Sequence, residues 1–299
     1  MPKLEGQVVI ITGASAGIGE QTARRLGRGG SRVVISARRQ DRLDSLKRDI
    51  EAGGGQALAV AGDITSPDDR ANLVEQAVTK FGRIDGLVNN AGYGLRGPIE
   101  IVPLEDIRRN FETNVFSLIG LSQIVIPIMR KQAEGRIVNI SSVAGRIARP
   151  LSSIYDSTKH ALEAISDGMR GELAGFGIRV VVVEPGFILT EFLQVSSDVS
   201  RPVIQKESPY SGFFTTFNRS ADRMRKMAGQ PDDIARLVEK ALTAERPRIR
   251  YAAPAHARIF LALKRLLPDR VIDFAVSRQT GMGSAVVRNS ASEQARDAR

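Results

Sequence analysis

The chain of 299 residues contains no cysteine, no tryptophan and only two histidines. Without cysteine it cannot form a disulfide, a thiolate zinc site or a cysteine nucleophile. Two histidines are too few for a multi-histidine metal site, so we expect no bound metal. These absences remove disulfide scaffolds and most metal centres from the candidate functions.

Signals for export or membrane insertion are also missing. An apolar run begins at residues 7–12, and no cleavable signal pattern precedes it. We identify no apolar stretch that approaches the roughly 18 uncharged residues of a membrane span. The composition, with 42% hydrophobic and 25% charged residues, is that of an ordinary globular protein. We therefore expect a cytoplasmic protein.

Acidic residues are in deficit. The chain has 33 Asp and Glu against 43 Lys and Arg, a formal net charge of +10. Such an excess suits nucleic acid, an anionic lipid surface, an acidic protein partner or a phosphorylated cofactor. No nucleic-acid motif accompanies the charge, so we expect no specific nucleic-acid binding. The residues from Arg246 onward carry 11 Lys and Arg but 4 Asp and Glu, which concentrates the excess in the tail.

Short runs rich in Val and Ile alternate with helix-length segments. Unbroken Val/Ile runs are typical of strands buried on both faces of a parallel sheet. Together with the helical segments between them they predict a single-domain, Rossmann-like, doubly wound parallel β-sheet of about seven strands, flanked by helices. The predicted strands are 7–12, 31–36, 56–60, 83–88, 135–141, 178–185 and 248–253.

Two regions depart from this alternation. Residues 187–228 combine bulky apolar residues with a polar loop and predict a lid. Residues 254–299 predict a basic amphipathic helical extension of a main domain that spans residues 1–253, frayed from about 281. Such a tail suits peripheral membrane contact. The other interpretation, a helical cover on the core with ordinary surface charges, is the one that we favour somewhat.

A glycine-rich turn follows the first strand. Its glycines permit a tight turn and close backbone approach to a pyrophosphate, and the following helix N-terminus supplies N–H donors. The residues concerned are Thr12, Gly13, Ser15, Gly17, Ile18 and Gly19. The spacing GxxxGxG differs from the general dinucleotide fingerprint GxGxxG.

Further motifs follow in order along the chain. Taken with the glycine turn, they resemble the short-chain dehydrogenase/reductase family over about residues 5–250. The motifs are Asn90, Ala91 and Gly92 after the fourth strand, then Asn114, Ser142, Tyr155 with Lys159, Pro185 with Gly186, and Ile188 with Thr190. The resemblance implies an NAD(P)-dependent oxidoreductase that interconverts a carbonyl and an alcohol, and a homodimer or homotetramer.

The resemblance assigns catalytic roles to four residues. Tyr155 is the expected acid/base, and a phenol with an ordinary pKa near 10 needs a nearby positive charge to ionise near neutrality. Lys159 lies four residues on, on the same helix face, and is expected to lower the pKa of Tyr155 and hold the nicotinamide ribose. Ser142 is expected to hydrogen-bond the substrate oxygen, with Ser141 structural, and Asn114 to support a water-linked proton relay to Lys159.

The end of the second strand predicts the cofactor. Arg38 and Arg39 stand where NAD-binding proteins carry an acidic residue, and two guanidiniums suit a 2′-phosphate. We therefore expect NADP(H), with NAD(H) possible. Many NADP-preferring relatives also carry a basic residue inside the glycine turn, where this chain has Ala16. Asp63 resembles the family's adenine-contacting Asp, and Ile64 follows it.

Aromatic and apolar residues after Gly186 suggest the substrate class. They either wall a pocket for a steroid-, retinoid- or lipid-like molecule or pack the loop onto the core. The residues are Phe187, Phe192, Leu193, Phe213, Phe214 and Phe217. Two alternatives stay open: a 3-oxoacyl reductase whose basic surface docks an acidic carrier protein, and a catalytically idle dinucleotide-binding sensor.

Overall fold

A computed structural model of the chain describes residues 4–205, 208–210 and 227–280. Seven strands form one parallel sheet in the order β3-β2-β1-β4-β5-β6-β7. They are β1 Val8–Thr12, β2 Arg32–Ala37, β3 Gln56–Ala61, β4 Gly86–Asn89, β5 Gly135–Ile140, β6 Ile178–Pro185 and β7 Arg250–Ala253.

Helices cover both faces of this sheet. In chain order they are α1 Gly17–Arg28, α2 Gln40–Ala52, α3 Pro67–Phe81, α4 Leu104–Phe111, α5 Ser117–Gln132, α6 Ser153–Leu173, α7 Phe192–Ile204, α8 Pro231–Thr243, α9 Ala255–Leu266 and α10 Asp269–Thr280. A π-helical turn, Glu112–Phe116, joins α4 to α5. The predicted doubly wound fold is confirmed.

The central strands are apolar on both sides because both sides are covered. Along β1, Val9 and Ile11 belong to one core cluster, while Val8 and Ile10 belong to the other. Helices α1 and α8 close the first cluster, and α3 and α5 close the second. This double burial is the reason for the unbroken Val/Ile runs in the sequence.

The order of the strands reverses at β1. Ile10 pairs with Val34 of β2 on one side and with Leu87 of β4 on the other. In an open α/β sheet, the carboxyl ends of the two strands at such a switch point border a crevice that binds ligands. Here those ends are Thr12 and Asn89, directly before two of the sequence motifs.

One helical stretch corrects the sequence analysis. Leu104–Gln132 is long and apolar enough to cross a membrane by length and composition, with a hydropathy of 1.4 over an 18-residue window. Our expectation was wrong because the residues between Glu112 and Arg130 carry no charge. In the fold, Leu121 and Val125 on its inner side lie in the core beneath the sheet.

The fourth strand starts later than predicted, at Gly86 rather than residue 83. The residues before it are held by side-chain polar contacts, and Asp85 also makes backbone hydrogen bonds to Val8 (2.8 Å) and Arg136 (2.9 Å). Asp85 accepts a hydrogen bond from the backbone N–H of Val8 (2.9 Å) and pairs with Arg83. The backbone N–H and C=O of Ile84 bond to the side-chain amide of Gln132.

The segment predicted as a lid contains helix α7. Phe213, Phe214 and Phe217 lie outside the described residues, as does the part of the tail from residue 281. Helices α9 and α10 pack partly on the body of the protein, because Ile272 and Val276 form a small cluster with Ile147. Their other side exposes apolar residues, namely Ile259, Leu263, Leu266, Val271 and Phe274.

Candidate active site

The glycine turn is close-packed against the chain that leaves β4. Gly13 has φ +65°, and a Cβ there would lie 2.9 Å from the Cα of Ala91. A Cβ at Gly19 would lie 2.5 Å from the carbonyl oxygen of Gly13. Both separations are too short for a side chain, so glycine is required at each position.

Two polar side chains tie this turn to β4. The Thr12 hydroxyl accepts hydrogen bonds from the backbone N–H groups of Asn90 and Ala91, each at 3.1 Å. The Asn90 amide donates in return to the carbonyls of Thr12 (2.9 Å) and Gly13 (3.2 Å). The ends of β1 and β4 are therefore joined side chain to backbone in both directions.

Helix α1 begins without a side-chain cap. The N-cap residue is Ala16, whose methyl side chain cannot accept a hydrogen bond. It therefore leaves the first N–H groups of the helix uncapped. Gly17 and Ile18 line the cavity at the carboxyl edge of the sheet. Uncapped donors, the helix dipole and a turn that excludes side chains fit the phosphates of a dinucleotide.

One cavity of about 790 Å³ collects most of the predicted site residues. Arg38, Arg39 and Asp63 lie at one end of it, and Tyr155 and Phe192 line its wall. Gly19 and Asn114 do not line the cavity and lie behind its wall. Other predicted lining residues are Thr12, Gly13, Ser15, Ile64, Asn90, Ala91, Gly92, Ser142, Lys159, Pro185, Gly186, Phe187, Ile188, Thr190 and Leu193.

The arginine end of the cavity is partly engaged. Arg39 donates to the Ser15 hydroxyl at 2.9 Å and pairs with Glu191 at 3.2 Å. Asp63 accepts from the N–H (2.9 Å) and hydroxyl (2.8 Å) of Thr65. Burial raises the pKa of Asp63, but these bonds and the charge of Arg38 outweigh it and lower the pKa overall. Asp63 is therefore ionised at neutral pH.

Tyr155 lies on the first turn of α6 and is 9% exposed. Its ring is 5.6 Å from that of Phe192, centroid to centroid. Burial raises the pKa of Tyr155 to about 12, while the positive charge of Arg149 and a hydrogen bond with Ser142 oppose the rise. The phenol is thus protonated at neutral pH.

In the chain without ligand, the charge of Lys159 does not bring the pKa of Tyr155 below its ordinary value. Its Nζ donates to the carbonyl of Ile140 at 2.8 Å and lies 5.9 Å from the Tyr155 ring centroid. Burial lowers the pKa of Lys159 to about 8, and the nearby Glu163 carboxylate opposes that fall. The cost of burying the phenol exceeds the help from cations, so the pKa of Tyr155 rises in the chain without ligand.

The two serines after β5 have different surroundings. The Ser142 hydroxyl accepts from the N–H of Ala144 at 3.1 Å, donates to the carbonyl of Pro185 at 3.4 Å, and opposes the rise in the pKa of Tyr155. The Ser141 hydroxyl is buried without a hydrogen-bond partner and lies close to Gly145, although Ser141 also lines the cavity. The structure therefore places Ser142, not Ser141, beside the phenol.

Asn114 lies in the π-helical turn, and its side chain is fully used. Its Nδ2 donates to the carbonyl of Tyr93 (2.9 Å) and to the hydroxyl of Thr158 (3.0 Å). Its Oδ1 accepts from the N–H of Tyr93 at 3.0 Å. The amide locks α6 to the chain after Gly92, and the expected role of Asn114 in a proton relay stays a prediction.

Sequence reasoning missed a buried ion pair beside Tyr155. Asp156 is fully buried and pairs with Arg149 at 2.6 Å, and its Oδ2 also accepts from the backbone N–H of Arg149. Arg149 lines the cavity, and its charge favours the phenolate of Tyr155. The position of Asp156 directly after Tyr155 indicated a carboxylate near the phenol. The sequence did not indicate that Arg149 would be its partner.

A second missed group lies beneath Lys159. Glu163, one helical turn on from Lys159, pairs with Arg250 of β7 at 3.0 Å, and Arg250 approaches Glu184 at 3.7 Å. Burial, followed by the Glu163 charge, raises the pKa of Glu184 to about 7. The spacing of Lys159 and Glu163 predicts a shared helix face, whereas the contribution of β7 has no local signal.

A buried amide ladder was also missed. Asn89 donates to Asn139 at 2.9 Å, and Asn139 donates to the Ser166 hydroxyl at 2.8 Å. The ladder links β4 and β5 to α6 beneath the site. His256 lies nearer the site than its place in the tail suggested, since a Cβ at Gly186 would be 3.1 Å from its Nε2.

Comparison with known proteins agrees with this geometry. Residues 7–200 match the profile of the family described as short chain dehydrogenase. An NADPH-dependent 3-dehydrocapnine reductase of Ornithobacterium rhinotracheale is 31% identical over 268 residues, which are 88% of this chain and 94% of that protein.

Two solved structures extend the comparison. A short-chain dehydrogenase from Streptomyces avermitilis superposes with a TM-score of 0.71 at 30% identity, covering 92% of this chain and 98% of that one. A 7α-hydroxysteroid dehydrogenase complexed with NADH and 7-oxo glycochenodeoxycholic acid has a TM-score of 0.67 at 34% identity, covering 80% and 88%. The chain belongs to the short-chain dehydrogenase family and is an NAD(P)-dependent oxidoreductase.

Proposed function

We propose that this protein interconverts a carbonyl and an alcohol on a hydrophobic substrate, with NADPH as the preferred cofactor and Tyr155 as the acid/base. One observation carries the proposal: Tyr155 and Ser142 line the same cavity as the glycine turn. A cofactor on the turn and a substrate at the phenol would therefore meet inside one cavity.

The walls near Tyr155 support a hydrophobic substrate. Its nearest aromatic neighbour is Phe192, and apolar side chains continue along the cavity from there. They include Leu95, Phe187, Leu193, Val195 and Val199. Such walls bury most of a steroid-, retinoid- or other lipid-like molecule. The relative complexed with 7-oxo glycochenodeoxycholic acid is consistent with this class.

The preference for NADPH rests on Arg38 and Arg39. Both line the cavity at the end of β2, where a carboxylate would repel a 2′-phosphate. The NADPH-dependent relative supports the assignment. NAD(H) can also bind, because Asp63 and the glycine turn serve the adenine and pyrophosphate that both cofactors share. It is the weaker ligand because it has no 2′-phosphate for the two arginines.

The side chains suggest how a proton is moved. The nicotinamide, when bound, exchanges a hydride with the substrate carbon. In the reduction direction the protonated Tyr155 phenol donates its proton to the carbonyl oxygen, and the Ser142 hydroxyl donates a hydrogen bond to the same oxygen. The positive charges of Lys159 and Arg149 stabilise the phenolate that results. Because the pKa of Tyr155 is about 12, the resting chain starts as a proton donor.

The 3-oxoacyl reductase and the idle sensor are weaker candidates. A sensor needs no phenol paired with a serine in the cavity. A panel of steroids, retinoids and acyl thioesters, assayed with NADPH and NADH, separates the substrate classes. Faster turnover of carrier-protein thioesters than of every free hydrophobic carbonyl would replace the proposed substrate class.

The outer side of the tail suits a peripheral membrane contact by a cytoplasmic protein. Leu266 is 80% exposed and Phe274 is 67% exposed, so these apolar side chains do not pack against the core. Basic residues flank them, namely Arg258, Lys264, Arg265, Arg270 and Arg278. An apolar stripe edged by positive charge matches an anionic bilayer surface, where a lipid-soluble substrate would be found. A homodimer or homotetramer, as is usual in the family, would present several such tails together.

We predict that Tyr155→Phe lowers kcat about 10²- to 10⁴-fold on the best substrate of the panel, the range for loss of a general acid. The ring still fills its site against Phe192, so the Kd of NADPH should change little. Stopped-flow rates and a fluorescence titration of NADPH measure the two effects. A variant that keeps most of its rate would rule out the tyrosine mechanism.

Carbonyl reduction should slow as the pH rises above about 8, where Lys159 loses its charge. Glu163→Gln removes the anion that holds the pKa of Lys159 up, so its pKa falls further and the alkaline limb moves to lower pH. The profile of kcat/KM against pH, and an NMR titration of labelled lysine, measure the shift. Asp198→Asn on the surface is the control. A limb that stays fixed in Glu163→Gln would contradict this electrostatic assignment.

Arg38→Ala combined with Arg39→Ala should weaken NADPH binding about 100-fold and leave NADH binding nearly unchanged. Two charge-assisted hydrogen bonds at roughly 1.5 kcal/mol each give this magnitude. Isothermal titration with both cofactors measures it. An unchanged ratio of the two Kd values would mean that the 2′-phosphate is held elsewhere.

The full chain should co-sediment with phosphatidylserine vesicles more than with phosphatidylcholine vesicles. Leu266→Glu combined with Phe274→Glu should reduce the bound fraction at least 10-fold, since each buried side chain contributes about 1.5–3 kcal/mol. The exposed Glu245→Gln serves as a control away from these helices. Equal sedimentation of the double variant and the unmodified chain would exclude the tail as the contact.

A further inference from the structure

Glu191 connects the substrate segment to the arginine end of the cavity. It directly precedes α7, and its two carboxylate oxygens bind two different arginines. Oε2 pairs with Arg39 at 3.2 Å, and Oε1 pairs with Arg42 at 2.6 Å. The contact bridges 152 residues of sequence, from the start of α2 to the start of α7.

The arginine that Glu191 binds is also one of the two assigned to the 2′-phosphate. Arg39 points towards the glycine turn, because it donates to the Ser15 hydroxyl at 2.9 Å and 3.3 Å. Ser15, Arg38, Arg39 and Glu191 all line the cavity. The carboxylate of Glu191 therefore lies in the anion site that the cofactor phosphate would use.

The carboxylate is charged under working conditions. The hydrogen bond and charge of Arg42 lower the pKa of Glu191, and those of Arg39 lower it further. Glu191 is thus an anion that competes for Arg39. A phosphate carries more charge and more acceptor oxygens than a carboxylate, so it binds a guanidinium pair more strongly.

We propose that Glu191 is an internal anion that occupies the 2′-phosphate site, and that a 2′-phosphorylated cofactor displaces it from Arg39 and loosens the start of α7, which then depends on the ion pair of Glu191 with Arg42. This inference rests on the proposed binding of the 2′-phosphate by Arg38 and Arg39. Glu191 is then a specificity residue: it lowers the affinity for NADP(H) by competition and has no such effect on NAD(H).

The neighbouring residues make the displacement relevant to the substrate. Thr190 lies against the glycine turn, since a Cβ at Gly17 would be 3.1 Å from its Cβ. Phe192 on the other side of Glu191 packs on the Tyr155 ring at 5.6 Å. Three consecutive residues thus contact the pyrophosphate turn, the arginine site and the phenol. When Glu191 leaves Arg39, Phe192, which lines the cavity beside Tyr155, is held less firmly.

The ion pairs of Glu191 are exposed enough to break and re-form. The side chains of Arg39, Arg42 and Glu191 are 43%, 42% and 46% exposed. Ion pairs this exposed are individually weak. A bound phosphate can therefore take the place of Glu191 at Arg39, whereas a buried ion pair there would block the cofactor.

The test uses adenosine 2′,5′-bisphosphate and 5′-AMP as probes, which differ only in the 2′-phosphate. Titration calorimetry of the full chain gives the Kd of each. Glu191→Gln should bind the bisphosphate about 3- to 10-fold more tightly, the range for two exposed ion pairs. Its affinity for 5′-AMP should not change. Glu51→Gln on α2, which removes an equal charge away from the site, should match the unmodified chain.

Hydrogen exchange reports on α7 itself. In the unmodified chain the bisphosphate should speed exchange at the first turn of α7, and 5′-AMP should not. In Glu191→Gln this turn should exchange fast without ligand and respond to neither probe. Unchanged or weaker bisphosphate binding in Glu191→Gln would overturn the inference.

The outcomes separate the two proposals. If the unmodified chain binds both probes equally, or if Arg38→Ala with Arg39→Ala keeps the full preference for the bisphosphate, the phosphate site is wrong and the inference is overturned with it. If that double variant loses the preference but Glu191→Gln behaves like the unmodified chain, the phosphate site stands and only the role of Glu191 is overturned.

Discussion

The hydrogen bonds between the ends of β1 and β4 are the contact on which the site depends. Asn90 donates to two carbonyls of the glycine turn, and Thr12 accepts two N–H groups in return. They hold the turn so near to Ala91 that no side chain fits at Gly13. The first residues of α1, Gly17 and Ile18, line the cavity, and the helix has no side-chain cap from Ala16.

A second constraint sets the charge near the phenol. Tyr155 and Lys159 are both buried, and burial moves both pKa values towards the neutral form of each group. The protein opposes this with ion pairs placed around them, Arg149 with Asp156 on one side and Arg250 with Glu163 on the other. The phenol therefore depends on a charged shell drawn from α6, the chain before it and β7.

The fold and the content of the cavity could be predicted from sequence because their signals are local. Val/Ile runs predict buried strands, and the spacing of Tyr155 and Lys159 predicts a shared helix face. The contacts of Glu191 and Arg250 could not be predicted, since each joins segments 80 or more residues apart with no pattern that selects the partner. The high pKa of Tyr155 was missed for a related reason: burial depends on the packed structure, whereas the lysine was visible in the motif.

The position of Arg250 has a consequence for where the enzyme ends. The family profile matches only to residue 200, yet the guanidinium that neutralises Glu163 and Glu184 comes from the last strand of the sheet. In a chain cut at the profile boundary, two buried carboxyl groups below Lys159 would lose the Arg250 counter-charge and keep the more distant charge of Arg146. The smallest self-sufficient catalytic unit is therefore longer than the part by which the family is recognised, and β7 belongs to it.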